Sequence, residues 1–129
     1  MKIFVDTNVW INYLAGRNTE KTKLLSELIE SGQPIYTLPV IIQEILQGFK
    51  HDKDISANIE LLDALNFLSF GFEDAVEAAK LYRTLRKYGI TSTTIDLQIV
   101  AICLRDKLQL LTEDRDFLAI AEKFKLALL

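Results

Sequence analysis

Phe4-Val5-Asp6-Thr7-Asn8-Val9-Trp10, read FVDTNVW, sets a carboxylate, a hydroxyl and an amide between two apolar runs close to the start of the chain. Lys2–Asp6 has the length and apolar content of a short buried strand, and Asn8–Leu14, closed by Gly16, reads as a short helix. A strand that leads directly into a helix opens an α/β pattern, so this stretch decides the fold class. Its Asp-Thr-Asn step has two readings. These residue types are favoured at turns and helix N-caps, where a side-chain oxygen accepts a backbone N–H. The same groups at the carboxyl end of a strand also stand where sites form in open α/β sheets.

Working outward, the spacing predicts a helix over Thr19–Ser31, with Leu24, Leu25, Leu28 and Ile29 on one face and Gly32 just past its end. Ile35–Leu38 is a second short strand; Pro39 suits a first helical turn, and Val40–Phe49 continues as an apolar helix. Asp54–Leu65 carries Ile55, Ile59, Leu62 and Leu65 at helical spacing, and Phe67–Phe70 reads as a strand. Glu73–Tyr88 is an amphipathic helix whose Ala75, Val76, Ala79, Tyr82 and Leu85 are expected inward, with Glu73, Glu77, Lys80, Arg83 and Lys87 toward water. Thr91-Ser92-Thr93-Thr94 offers N-caps for Ile95–Lys107, which is apolar nearly all round and so should be central. Gln109–Thr112 is a strand ending in Glu113-Asp114-Arg115-Asp116, a short helix starts near Phe117, and Leu126–Leu129 is a candidate last strand. The alternation implies an α/β domain with a parallel sheet, and Asp6 and Asp114 stand at or just past two strand ends.

The length of 129 residues fits one domain, residues 1–129. With 50% hydrophobic and 26% charged residues, the composition is that of a folded chain. No apolar run approaches the roughly 20 residues of a membrane span, and no signal core precedes Asp6, so a cytoplasmic protein without a membrane partner is expected. Cys103 and His51, alone of their kinds, exclude an internal disulfide and a zinc site built on cysteine. A net charge of −3 and a pI near 5.2 count against nucleic-acid binding through bulk charge. That objection weakens if several acids gather at one place and a metal neutralises them.

Four acids invite such a grouping, and each also has an ordinary explanation. Asp6 could be a capping residue. Glu44 could be an exposed helix acid, although Val40-Ile41-Ile42-Gln43-Glu44-Ile45-Leu46 surrounds it with apolar neighbours. Asp96 at the start of a helix gains roughly 0.3–1 kcal/mol from the helix dipole. Burying its charge among Ile95, Leu97, Ile99 and Val100 costs several kcal/mol, so it wants a cation. Asp114 and Asp116 could form a charged turn capping the last helix, with Thr112 beside the same crevice. Were the four acids to meet, each close pair at about 4 Å would repel by roughly 4 kcal/mol at an effective dielectric of about 20. Oxygen-only ligands select Mg²⁺ or Mn²⁺ over zinc, and one or two such ions activate water and stabilise an in-line phosphoryl displacement.

Asp6-Thr7-Asn8 after an N-terminal strand, Glu44 in a Pro-led helix with Gly48 following, Thr94-Ile95-Asp96-Leu97 opening an apolar helix, and Thr112-Glu113-Asp114-Arg115-Asp116-Phe117 closing a strand together resemble the PIN domain. The likeness is greatest to VapC-type toxins of toxin-antitoxin pairs, and it runs from Lys2 to about Phe117. It implies a three-layer α/β/α fold with a mostly parallel sheet, and Mg²⁺- or Mn²⁺-dependent endoribonuclease activity leaving a 3′-hydroxyl and a 5′-phosphate. It also implies a homodimer inhibited by a cognate VapB-like antitoxin. Carried over by position, Asp6, Glu44, Asp96 and Asp114 would be the catalytic, metal-binding acids, with Asn8, Thr112 and Asp116 supporting; either Asp114 or Asp116 could take the fourth place. Lys50, Lys53, Arg83, Arg86, Lys87 and Arg115 are candidates for steering RNA, and Trp10, Tyr13 and Tyr82 for stacking on a base or packing in the core. Other readings are a PIN nuclease acting in RNA processing or on DNA, and a non-catalytic module whose acids accept a partner's arginines. Haloacid-dehalogenase phosphatases also end a first strand in Asp, but need a second Asp where this chain has Asn8.

Overall fold

The computed structural model describes residues 1–129. β1 (Ile3–Val5) is fully buried, as befits a central strand covered on both faces. It pairs in parallel with β2 (Ile35–Thr37) on one side and β4 (Gln109–Leu111) on the other, while β3 (Asn66–Phe67) extends the sheet beyond β2. The order is β3-β2-β1-β4 and every pairing is parallel, so the expected α/β class holds. The register sets Val5 opposite Leu111, which brings the carboxyl ends of β1 and β4 level. Leu126–Leu129 adds only an isolated parallel bridge, Leu110 to Leu128.

Seven helices flank the sheet in the three-layer α/β/α arrangement. α1 (Thr7–Leu14) packs on α2 (Glu20–Glu30) and on α3 (Pro39–Gln47), while α4 (Asp52–Asp63) bridges to β3. α5 (Phe72–Lys87) packs on α6 (Thr94–Asp106), and α7 (Asp116–Phe124) follows β4. α6 is the central helix its composition predicts, with Leu97 and the run Ile99–Cys103 buried. Trp10 lies wholly inside the core, which settles its role as packing and not stacking on a ligand.

Two element-level expectations change. The strand expected over Phe67–Phe70 is Asn66–Phe67, because β2 is only three residues long and offers just Tyr36 and Thr37 as partners. The inward face of α5 is Ala78, Leu81 and Leu85, and of the five expected residues only Leu85 is buried. Ala75, Val76, Ala79 and Tyr82 are exposed. The helix carries apolar residues on two faces, so the helical period by itself fits either face to the core.

Candidate active site

The sheet order reverses around β1: the chain runs from β1 outward to β2, and β4 lies on the opposite side. Crevices in parallel α/β sheets open at such a reversal, outside the carboxyl ends of the strands. Here a cleft of about 190 Å³ lies at that place, lined by Asp6, Thr7, Asn8, Ile11, Glu44, Thr93, Ile95, Asp96 and Asp114. Four acids from four segments therefore share one hollow. Asp116 does not line it, and Thr112 stands behind the carboxylates.

Each acid is oriented by a neutral donor. Asp6 directly follows β1 and caps α1: its Oδ1 accepts from the Thr7 amide at 2.8 Å, and its Oδ2 accepts from the Thr112 hydroxyl at 2.7 Å. The Asp114 amide donates to Thr112 Oγ1 at 3.0 Å, so a single hydroxyl links the two acids at the ends of β1 and β4. Glu44, one turn and a half into α3, accepts from the Thr7 hydroxyl at 2.7 Å. Asp96 forms a capping box with Thr93: its amide donates to Thr93 Oγ1 at 3.1 Å, and its Oδ2 accepts from the Thr93 amide at 3.3 Å. Asp116 is exposed in the first turn of α7, and its amide donates to Asp114 Oδ1 at 2.9 Å. The choice between Asp114 and Asp116 as the acid facing the cleft thus falls to Asp114.

No Lys or Arg forms an ion pair with any of these acids; the ion pairs present are Lys80–Glu77, Arg105–Asp74 and Arg105–Asp106, all elsewhere. The electrostatic consequence is plain at Asp6, 7% exposed, whose carboxyl is pushed up to about 6. Burial is the main cause, and the charges of Asp96 and Asp114 add to it against the pull of the Thr112 and Thr7 hydrogen bonds. Asp96 is also raised, chiefly by burial, opposed by Thr93 and reinforced by Asp114 and Asp116.

The donor set fits a hard divalent cation in chemistry: four carboxylates, the amide of Asn8 and the hydroxyls of Thr7 and Thr93, with no imidazole or thiol. Asn8 Oδ1, buried without a hydrogen-bond partner, adds an oxygen that the protein leaves unused. No three of the acids close into a ready-made ligand cluster. An ion held here by one or two carboxylates would therefore draw its other ligands from water.

Among the other candidates, the thiol of Cys103 is buried in the core, its ionisation disfavoured there, and His51 is exposed at the N-cap position of α4. None of the six basic candidates lines the cleft. Arg115 borders a neighbouring depression that shares Asp114, together with Lys21, while Arg83 and Tyr82 border an apolar groove between α5 and α6. Sequence reasoning missed the direct bond of Thr7 to Glu44; a β-branched hydroxyl at the first helical position was its only trace.

The PIN domain family matches residues 3–123 of the chain. Among solved structures, the chain is similar to one in the crystal structure of VapBC2 from Rickettsia felis bound to a DNA fragment from its promoter. The two share 17% identity over 100% of this chain and 98% of that one, with a TM-score of 0.78. It is likewise similar to a chain of VapBC-1 from nontypeable Haemophilus influenzae, at 21% identity over 100% and 97% of the two chains, with a TM-score of 0.78. A third likeness is to Mycobacterium tuberculosis VapC20, a toxin that cleaves the sarcin-ricin loop, at 18% identity over 92% and 94% with a TM-score of 0.69. With a four-stranded parallel sheet and a family match over nearly its whole length, the chain belongs to the PIN domain family.

Proposed function

We propose that the chain is a divalent-metal-dependent endoribonuclease, the toxin of a toxin-antitoxin pair. The observation that carries this reading is the cleft itself: four carboxylates, each oriented by a neutral donor, with no basic side chain to neutralise them. Without a cation, burial and neighbouring carboxylates disfavour the charged forms of Asp6 and Asp96. Asp6 and Asp96 would hold Mg²⁺ or Mn²⁺, with Glu44 and Asp114 completing the set directly or through water and Asn8 Oδ1 available as a neutral oxygen. When bound, the ion supplies charge neutralisation at the scissile phosphate and acidifies water for in-line attack.

The chain's own residues hold that arrangement ready. Thr112 fixes the rotamer of Asp6 and the height of the Asp114 amide at once, and Thr7 does the same for Glu44. Asp6 must lose its proton for a cation to bind, and a carboxyl at about 6 is ionised at neutral pH. Membership in a family of nucleases and the fold likeness to VapC20 support RNA as substrate. The VapBC likenesses support a VapB-like antitoxin as partner. A homodimer is supported by the face of α5 that turns away from the core, where Phe72 is 85% exposed beside Val76 and Tyr82.

The test is to incubate antitoxin-free protein with transfer and ribosomal RNA, with Mg²⁺ or with chelator, beside Asp6→Asn. Cleavage is expected only for the unaltered chain with Mg²⁺. Equal cleavage by the variant would point to a contaminating nuclease and sink the mechanism.

A further inference from the structure

We infer that Glu113 is a positioning residue for Asp114, acting through a latch on α1 and α2. This rests on reading the cleft as a divalent-ion site, but the latch is built outside the cleft, and Glu113 does not line it. Glu113 Oε1 accepts from Asn12 Nδ2 in α1 at 3.3 Å and from Thr19 Oγ1, the N-cap of α2, at 3.1 Å. Both donors are themselves fixed. The Arg17 guanidinium donates to Asn12 Oδ1 at 2.7 Å, and Thr19 sits in a capping box with Thr22, whose hydroxyl donates to the Arg17 carbonyl at 2.8 Å. A half-buried carboxylate thus gathers two separate helices onto the segment that follows β4.

The segment Thr112–Arg115 belongs to no strand or helix. Its side-chain ties to the rest of the molecule are Thr112 to Asp6 and Glu113 to Asn12 and Thr19. Asp114 lies between the latch and α7 and makes only local bonds, to Thr112 and to the Asp116 and Phe117 amides. Without Glu113 the segment would be held only at its ends, by Thr112 and by the first turn of α7, and Asp114 between them would lose its height relative to Asp6 and Asp96. Residues that orient metal ligands typically change metal affinity or activity by about 10–100-fold when removed, without touching the ion.

Two substitutions separate this role from generic stability. Glu113→Ala removes the acceptor, and Glu113→Gln keeps Oε1 for the same two donors. Amide hydrogen exchange in metal-free protein reads the latch, and Mn²⁺ titration by calorimetry reads its consequence. Glu113→Ala is expected to speed exchange at the Asp114 and Asp116 amides about tenfold with β1 and β4 unchanged, and to weaken Mn²⁺ binding by about tenfold or more. Glu113→Gln should stay near the unaltered protein in both. Unchanged exchange at Asp114 and Asp116 in the Ala variant overturns the latch, and so does unchanged Mn²⁺ affinity despite faster exchange. Mn²⁺ binding equal in the unaltered chain and Asp6→Asn would instead overturn the metal reading, with the exchange data still deciding the latch. Should Glu113→Ala not fold, Asn12→Ala, which removes one donor, carries the same two measurements.

Discussion

Asp6 shows what the cleft costs the fold. Its carboxyl ionises at about 6 in the fold against an ordinary value of 3.8, so the fold retains a proton that the unfolded chain releases over that window. The contribution of this group to stability is therefore full below 3.8 and falls as pH rises through about 6. The fall amounts to about 3 kcal/mol, at about 1.36 kcal/mol per pKa unit. Asp6→Asn removes that titration. Denaturation in chelator should find the stability of the variant gaining on the unaltered chain by about 3 kcal/mol between about pH 4 and about pH 7, and Mg²⁺ should restore only the unaltered chain. Parallel pH curves for the two proteins would rule out a buried, unneutralised charge. At this scale much was legible: Asp6, Glu44, Asp96 and Asp114 do reach one cleft. Asp6 and Asp114 follow strand ends, where the topology of a parallel sheet fixes the crevice, and Asp96 opens the buried helix. The bonds that aim them were not legible. Thr7 to Glu44 spans 37 positions and Asn12 to Glu113 spans 101, and side-chain bonds between distant segments leave no periodic trace.

Among the elements, α6 ties capping to chemistry most closely. Thr93 and Asp96 satisfy each other's backbone amides, so the carboxylate that enters the cleft is also the one that starts the helix. Thr93→Ala should cost about 1 kcal/mol of stability by loss of the cap. It should also loosen Asp96, so Mn²⁺ affinity is expected to fall with it, while Thr93→Ser keeps both. A thermal melt with and without Mn²⁺ checks this, and an Ala variant with lower stability but unaltered Mn²⁺ response would confine Thr93 to the cap. The element order was readable because four of the seven helices carry a plain stop or start: Gly16, Gly32 and Gly89 take up positive φ after α1, α2 and α5, and Thr19 and Thr93 cap α2 and α6. What misled was α5. Its apolar residues serve two faces, and only packing on α6 selects Ala78, Leu81 and Leu85 for the core.

In the whole molecule, the unused face of α5 becomes the question. Phe72, Ala75, Val76, Ala79 and Tyr82 make an exposed stripe with a small residue at its centre, and the charge changes sign along it. Glu73 and Glu77 lie in its first half, and Lys80, Arg83, Arg86 and Lys87 in its second. Two copies of α5 laid antiparallel across Ala79 would set each acidic half against the partner's basic half, and the symmetry would use the same patch on both chains. Parallel pairing would oppose like charges, so the sign change would favour the antiparallel pair over the parallel one. The unaltered chain should sediment at the mass of two chains. Ala79→Glu, which keeps a helix-forming residue at a position already exposed, should sediment at the mass of one chain with its helix content intact. Charge exchange makes the orientation testable as well. Glu73→Lys with Glu77→Lys, and separately Arg83→Glu with Arg86→Glu, should each weaken self-association, while an equal mixture of the two variants should restore a pair. A chain that sediments as a monomer across accessible concentrations, or a mixture no more associated than its components, would end this account of α5.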